Sequence, residues 1–372
     1  MKAWIYAPGE PGSLRLDDIP VPAITADQVL VRIRGASVCG TDEQMFRGQV
    51  AGVEPGIVPG HELFGEVVEM GREVNAILSQ RGLWEVKKGA LVAAESHYHV
   101  PGCGDDEGII GIWGPRDASG RRLLPLSGAY AEYTAVPAEC LYPLPEVLVD
   151  GFYPSLLEAA GNDALIGRYL KDKGAKSVAI VGCGPHGLYA QIFARHFGVE
   201  KIAAFEVDPV RIEFAQKLGI ADAVWNSRDA ELDAKVMEFT HGAGFDAVVD
   251  IAGKYKSVLE MCKKYTRDGG HLVLFGLYGD PAITLAGRKP DDIIFSRQEF
   301  THSENGKKLR VTGITGRTHA IWTYLIEALA RDAAFRRQVM SPATHLGALD
   351  NLGPDTIKRD PKVLKRAYAP FK

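Results

Sequence analysis

Two short segments near the N-terminus carry groups suited to a metal ion: Cys39-Gly40-Thr41-Asp42 and Gly60-His61-Glu62. A cysteine thiolate and a neutral imidazole are what zinc selects. A catalytic zinc site takes three protein groups and leaves a fourth position open for water or substrate. The third ligand has two candidates, Glu62 beside the histidine and Glu158 in the segment LLEAAGN. Asp42 is spaced to accept a hydrogen bond from His61 and so fix its imidazole. Isolated cysteines and histidines are more often core side chains than ligands, but the glycines flanking both segments argue for the metal.

Well downstream lies Gly182-Cys183-Gly184-Pro185-His186-Gly187, which follows the apolar run SVAIVG and opens a helix-like stretch. Glycines at 182, 184 and 187 permit a tight turn, close approach of a pyrophosphate and close helix–strand packing. Pro185 and His186 fill the remaining positions at the helix start, where main-chain N–H groups and the positive end of the dipole face phosphates. Glu206 ends the next strand, nineteen residues past Gly187. A carboxylate there accepts hydrogen bonds from the adenine ribose and repels a 2′-phosphate, so NAD is expected over NADP. Arg211 is a second candidate near the adenosine, and Gly276 a candidate at the end of a later strand. A metal that polarises an alcohol, joined to a dinucleotide site, predicts zinc-assisted hydride transfer.

Residues 1–150 read as short β-branched or alternating strands separated by Gly and Pro. From about residue 152 strands alternate with helices: strand-like 177–182, 201–208, 245–253 and 269–277, and helix-like 186–198, 209–219 and 254–265. That alternation predicts a doubly wound parallel sheet, an α/β fold. Beyond Gly279 lie a polar loop or hairpin at 296–310, a strand-like RVTGITGR and an amphipathic helix THAIWTYLIEALARD; the tail after Met340 has no clear period.

A chain of 372 residues exceeds what one core usually supports, which predicts two domains. A formal charge of −4 gives no electrostatic reason to bind nucleic acid or an anionic membrane. Five widely spaced cysteines argue for a reducing compartment, and the N-terminus has no basic, apolar leader, so the expected address is the cytoplasm.

The Cys39 and His61 segments and the GxGPxG turn together resemble the zinc-dependent medium-chain dehydrogenases, across nearly the whole chain. The resemblance implies a GroES-like β-rich catalytic domain at 1–155 and 295–372, with a Rossmann NAD-binding domain at 156–294. It implies Cys39, His61 and Glu158 as ligands of one catalytic zinc per subunit, and Glu62 as a ligand exchanging with Glu158 or water. Thr41 would start the proton relay. Gly60-His61-Glu62 and the glutamate of LLEAAGN are similar to the threonine, polyol and sugar dehydrogenase branch. Gly313-Ile314-Thr315-Gly316-Arg317 is similar to the threonine enzymes within it, in which the arginine lies at the active site. The implied substrate is a small polar secondary alcohol, and the implied assembly a homodimer or homotetramer. A sugar, cyclitol or polyol dehydrogenase is the nearest alternative, and a catalytically silent NAD-binding regulator a more distant one.

Three departures from the family pattern stand out. The lobe that often holds a structural zinc on four cysteines has only Cys103 here, with His97, His99, Asp105 and Asp106 nearby. Gln44 occupies a position where related enzymes commonly place a relay histidine, and glutamine cannot take up a proton near neutral pH. Residues 296–310 look like an insertion, and the tail lacks the expected glycine-led final strand.

Overall fold

A computed structural model describes residues 1–7, 14–48, 50, 52–104, 106–150, 153–357, 360 and 362–372. Contacts divide the chain into two compact units, Met1–Ala159 with Trp322–Lys372, and Ala160–Ile321.

The first unit is built on a sheet ordered Ala343–Ala348, Lys365–Ala369, Gln28–Val38, Glu62–Met70, Leu91–Ala94 and Leu141–Pro143, with Tyr133–Pro137 also pairing with Gln28–Val38. Gln28–Val38 is the longest of these strands. Its alternating Val29, Val31 and Ile33 enter a core shared with Leu63, Val67, Val92 and Val136. Its far end pairs antiparallel with two partners, Glu62 opposite Ser37 and Arg366 opposite Val38.

The second unit is a seven-stranded sheet ordered Ala223–Asn226, Lys201–Glu206, Ser177–Val181, Phe245–Asp250, Thr266–Leu274, Lys307–Gly313 and Phe300–Glu304. The first six run parallel and the last antiparallel. Ser177–Val181 is apolar throughout its interior because helices cover both faces of a parallel sheet. The alternation expected of a doubly wound fold is present, with helices Pro185–His196, Pro209–Leu218, Leu232–Phe239 and Lys256–Tyr265 between strands.

Two expectations are corrected. Residues 295–321, expected in the catalytic domain, lie in the second unit. The polar stretch 296–310, expected as a loop or hairpin, forms a hairpin of Phe300–Glu304 with Lys307–Gly313, whose second strand extends the parallel sheet beside Thr266–Leu274. The tail after Met340 contains strands Ala343–Ala348 and Lys365–Ala369, which carry too few β-branched residues to register as strands by composition. Among the described residues no helix is long and apolar enough to cross a membrane.

Candidate functional site

Cys39 directly follows the strand Gln28–Val38 and is the N-cap of the helix Gly40–Phe46. Asp42, wholly buried in the first turn, accepts the Cys39 N–H at 2.9 Å. The Tyr130 hydroxyl donates to the same carboxylate at 2.9 Å, and its other oxygen lies 3.3 Å from Nδ1 of His61. One aspartate therefore caps the helix and orients the histidine. Gly60 has φ +98°, and a Cβ there would lie 2.7 Å from the Tyr130 ring, so only glycine lets the chain turn into His61 past that ring. The pairing of Ser37 with Glu62 then brings His61 and Glu62 alongside Cys39.

Sulfur, imidazole nitrogen and carboxylate oxygen of Cys39, His61 and Glu62 all lie within 4.8 Å of one another. Tetrahedral zinc with bonds of about 2.0–2.3 Å sets its ligands about 3.3–3.8 Å apart, so side-chain shifts of about 1 Å close this set. The mix of soft thiolate, imidazole and carboxylate fits zinc. Burial pulls the His61 pKa down, but Asp42 and Cys39 outweigh it and hold the imidazole well above its ordinary range. Burial lifts the Glu62 carboxyl to about 7, against the opposing pull of Lys365.

Lys365 was not anticipated. It is almost wholly buried and contacts both Glu62 oxygens, at 2.7 and 2.6 Å, while donating to the Val38 carbonyl at 3.2 Å. No local pattern could have revealed a partner 303 residues away. Thr41 is half-buried with its hydroxyl 3.8 Å from the Cys39 sulfur, whereas Gln44 is exposed on the same helix.

Glu158 is not among the gathered ligand atoms. It is buried at the start of the helix Leu157–Asp172 and accepts the Ser96 hydroxyl at 2.5 Å. The carboxylate that the fold brings to Cys39 and His61 is Glu62, because Glu62 follows His61 directly and begins the strand paired with the one that ends beside Cys39. In the lobe expected to lack structural zinc, His99 lies 3.5 Å from both Glu107 and Glu139, and Asp106 accepts the Arg116 N–H. Asp105 lies outside the described residues. Among the described residues the Cys39 group is the one cluster suited to a metal.

In the second unit Gly182 adopts φ +104°, and a Cβ on Gly187 would come within 1.8 Å of the Gly182 carbonyl oxygen. Gly184 caps the helix Pro185–His196. Glu206 accepts the Cys183 N–H at 2.9 Å on one oxygen, and the Val207 and Asp208 N–H groups at 2.7 and 3.1 Å on the other. A carboxylate has about four acceptor sites, so three main-chain bonds leave room for one more. Arg211 stands 3.8 Å from that first oxygen. Gly276 lies against the Ile251–Gly253 turn, where a Cβ would meet the Ile251 carbonyl at 2.4 Å. Arg317 is half-buried between Lys307–Gly313 and the helix His319–Arg331.

Comparison with known proteins identifies the class. Residues 25–146 match the alcohol dehydrogenase GroES-like domain, and residues 185–331 match the zinc-binding dehydrogenase family. The chain is 31% identical over 364 residues to the L-threonine 3-dehydrogenase of Symbiobacterium thermophilum, covering 95% of this chain and 92% of that protein. It is 30% identical over 323 residues to the enzyme of the same name from Bacillus licheniformis, with 85% and 84% covered. The structure of 2R,3R-butanediol dehydrogenase from Bacillus subtilis superposes with a TM-score of 0.75 at 21% identity, covering 100% of this chain and 99% of that one. The chain belongs to the zinc-dependent medium-chain alcohol dehydrogenase family. It is an NAD(P)-linked, zinc-dependent oxidoreductase acting on small-molecule alcohols.

Proposed function

We propose that this enzyme oxidises a polar secondary alcohol to a ketone with NAD+, using Cys39, His61 and a carboxylate to hold its zinc. The carrying observation is the buried trio of Cys39, His61 and Glu62, oriented through Asp42. Glu158 remains in the proposal as a carboxylate that exchanges with Glu62. When bound, the metal ion acidifies an alcohol hydroxyl and the dinucleotide accepts the carbinol hydrogen as hydride. Thr41 accepts the hydrogen bond of the substrate hydroxyl and passes its proton outward; the exposed Gln44 relays hydrogen bonds but stores no proton.

Main-chain groups of Gly182, Gly184, Pro185, His186 and Gly187 form the proposed phosphate cradle, and Gly276, packed against the Ile251–Gly253 turn, is a further proposed cofactor contact. Glu206 reads the adenine ribose through its remaining acceptor site, and Arg211 lies beside it. NAD+ is therefore preferred over NADP+. The relatives named for L-threonine put that substrate first, and Arg317 is the proposed holder of a carboxylate or hydroxyl beside the carbinol. A homodimer or homotetramer is proposed on the large apolar side chains Leu277 and Phe295 that the second unit leaves exposed. The five free cysteines support a cytoplasmic address.

The test is a side-by-side assay of L-threonine, sorbitol, inositol, glucose and 2-propanol with NAD+ and NADP+. Highest kcat/KM on a functionalised alcohol with NAD+ supports the reading. Best activity on 2-propanol overturns the substrate class, and equal use of NADP+ overturns the role of Glu206.

A further inference from the structure

A groove of about 420 Å³ opens on the second unit, lined by Lys201, Trp225, Lys235, Glu238, Phe239 and His241. None of these residues belongs to the metal or dinucleotide sites described above. Lys201 begins the strand whose last residue is Glu206, and at about 3.3 Å per residue the two stand about 17 Å apart. Trp225 lies on the edge strand Ala223–Asn226. Lys235, Glu238 and Phe239 lie on the helix Leu232–Phe239, at i, i+3 and i+4, and so share one face of it.

The lining combines aromatic surface with two uncompensated charges. The half-buried Trp225 and Phe239 rings meet edge to face with centroids 5.5 Å apart. Lys235 is paired with Asp229 at 2.5 Å. Lys201 and Glu238 are both exposed, and neither makes an ion pair among the described residues. The Lys201 ammonium has only long bonds, to the Phe239 carbonyl at 3.5 Å and to His241 Nε2 at 3.3 Å, and lies 5.6 Å from the Phe239 ring centroid. With three donors on an ammonium, one stays open. A lysine that only closed the helix end would explain the carbonyl contact, but neither the half-open tryptophan nor the unpaired glutamate beside it. A ligand that satisfies the whole lining carries a ring for Trp225 and Phe239, an anion for Lys201 and a cation for Glu238. We propose that this groove is a second ligand site of the enzyme and takes a small zwitterionic aromatic molecule, of the aromatic amino acid class. Lys201 holds its carboxylate, Glu238 its ammonium, and the two rings its aromatic group. The site is independent of the cofactor and substrate readings above.

The test uses zinc-loaded enzyme saturated with NADH, titrated with four compounds and followed by ligand-observed NMR. L-Phenylalanine is compared with 3-phenylpropanoate, which lacks the ammonium, 2-phenylethylamine, which lacks the carboxylate, and L-alanine, which lacks the ring. L-Phenylalanine is expected to bind in the millimolar range or tighter, about fivefold more tightly than either single-charge analogue and about tenfold more tightly than L-alanine. Lys201→Gln should weaken L-phenylalanine and 3-phenylpropanoate about fivefold and leave 2-phenylethylamine within about twofold. Glu238→Gln should weaken L-phenylalanine and 2-phenylethylamine instead and spare 3-phenylpropanoate. Both positions are exposed, so both variants keep the fold. Absence of saturable L-phenylalanine binding, an analogue that binds as tightly as the parent, affinities that neither variant shifts, or a variant that weakens all four compounds alike overturns the proposal.

Discussion

Replacing Lys365 by methionine leaves the Glu62 carboxylate buried without its counter-charge. The two side chains are 2% and 1% exposed, and the lysine touches both carboxylate oxygens at 2.6–2.7 Å. Removing one partner of such a pair costs about 3–5 kcal/mol. For a unit of this size, each kcal/mol lowers the melting temperature by about 2–4 °C, so the expected drop is about 6–20 °C. The loss depends on pH in a defined direction. Burial already raises Glu62 to about 7 while Lys365 pulls it down. Without the lysine the folded carboxyl is held higher still and relieves its isolation by taking up a proton. A raised folded pKa contributes stability at low pH that is lost as pH rises through it, so the deficit of Lys365→Met widens from pH 6 to pH 8.5. Thermal and denaturant unfolding of chelator-treated protein, followed by fluorescence, gives both numbers. The double variant Glu62→Gln with Lys365→Met removes both charges and should return to within about 1 kcal/mol of wild type. A single variant losing under about 1 kcal/mol, or a double variant no more stable than the single, would refute the reasoning.

Cys39→Ala and His61→Ala should each lose the zinc and nearly all turnover, while Glu158→Ala, whose carboxylate sits on Ser96, should lose less of both; metal analysis beside kcat decides. Freshly purified enzyme should hold one zinc per subunit, since Cys103 has no paired thiol nearby; a ratio near two that falls to one in Cys103→Ser, with activity kept, contradicts this. Asp250→Asn addresses a second buried carboxyl, which burial raises to about 6 despite the Tyr278 hydroxyl and the Gly253 N–H that oppose it. Wild-type stability from this group is full below about pH 3.8 and lost through about 6, so relative to Asp250→Asn the wild type should lose about 1.4 kcal/mol between pH 5 and 7.5. A pH-independent difference between the two proteins would remove Asp250 as the cause.

Legibility in the sequence followed the range of the interactions. The Gly182–Gly187 turn and Glu206 were readable because strand, turn and helix are contiguous and their glycines answer to contacts within a few residues. Cys39, Asp42, His61 and Glu62 were readable because two neighbouring segments meet through one antiparallel pairing. Glu158 was read as a ligand from resemblance, and that one of its oxygens accepts the Ser96 hydroxyl is a contact no spacing rule describes. The final strands were missed because Lys365–Ala369 has basic residues turned inward, against the usual alternation of apolar and polar faces. Lys365 was invisible because it is a charge whose meaning depends on a partner from a distant part of the chain.

The distance along the chain between Glu62 and Lys365 also has a temporal meaning. Synthesis runs from the N-terminus at about 5–20 residues per second, so the 303 intervening residues take about 15–60 s to make. Throughout that interval Cys39, His61 and Glu62 exist without the lysine that neutralises the carboxylate. The strand carrying Lys365 is made last, and its pairing opposite Ala36–Val38 sets the ammonium group against Glu62. The order of translation thus separates the synthesis of the carboxylate from that of the charge that neutralises it.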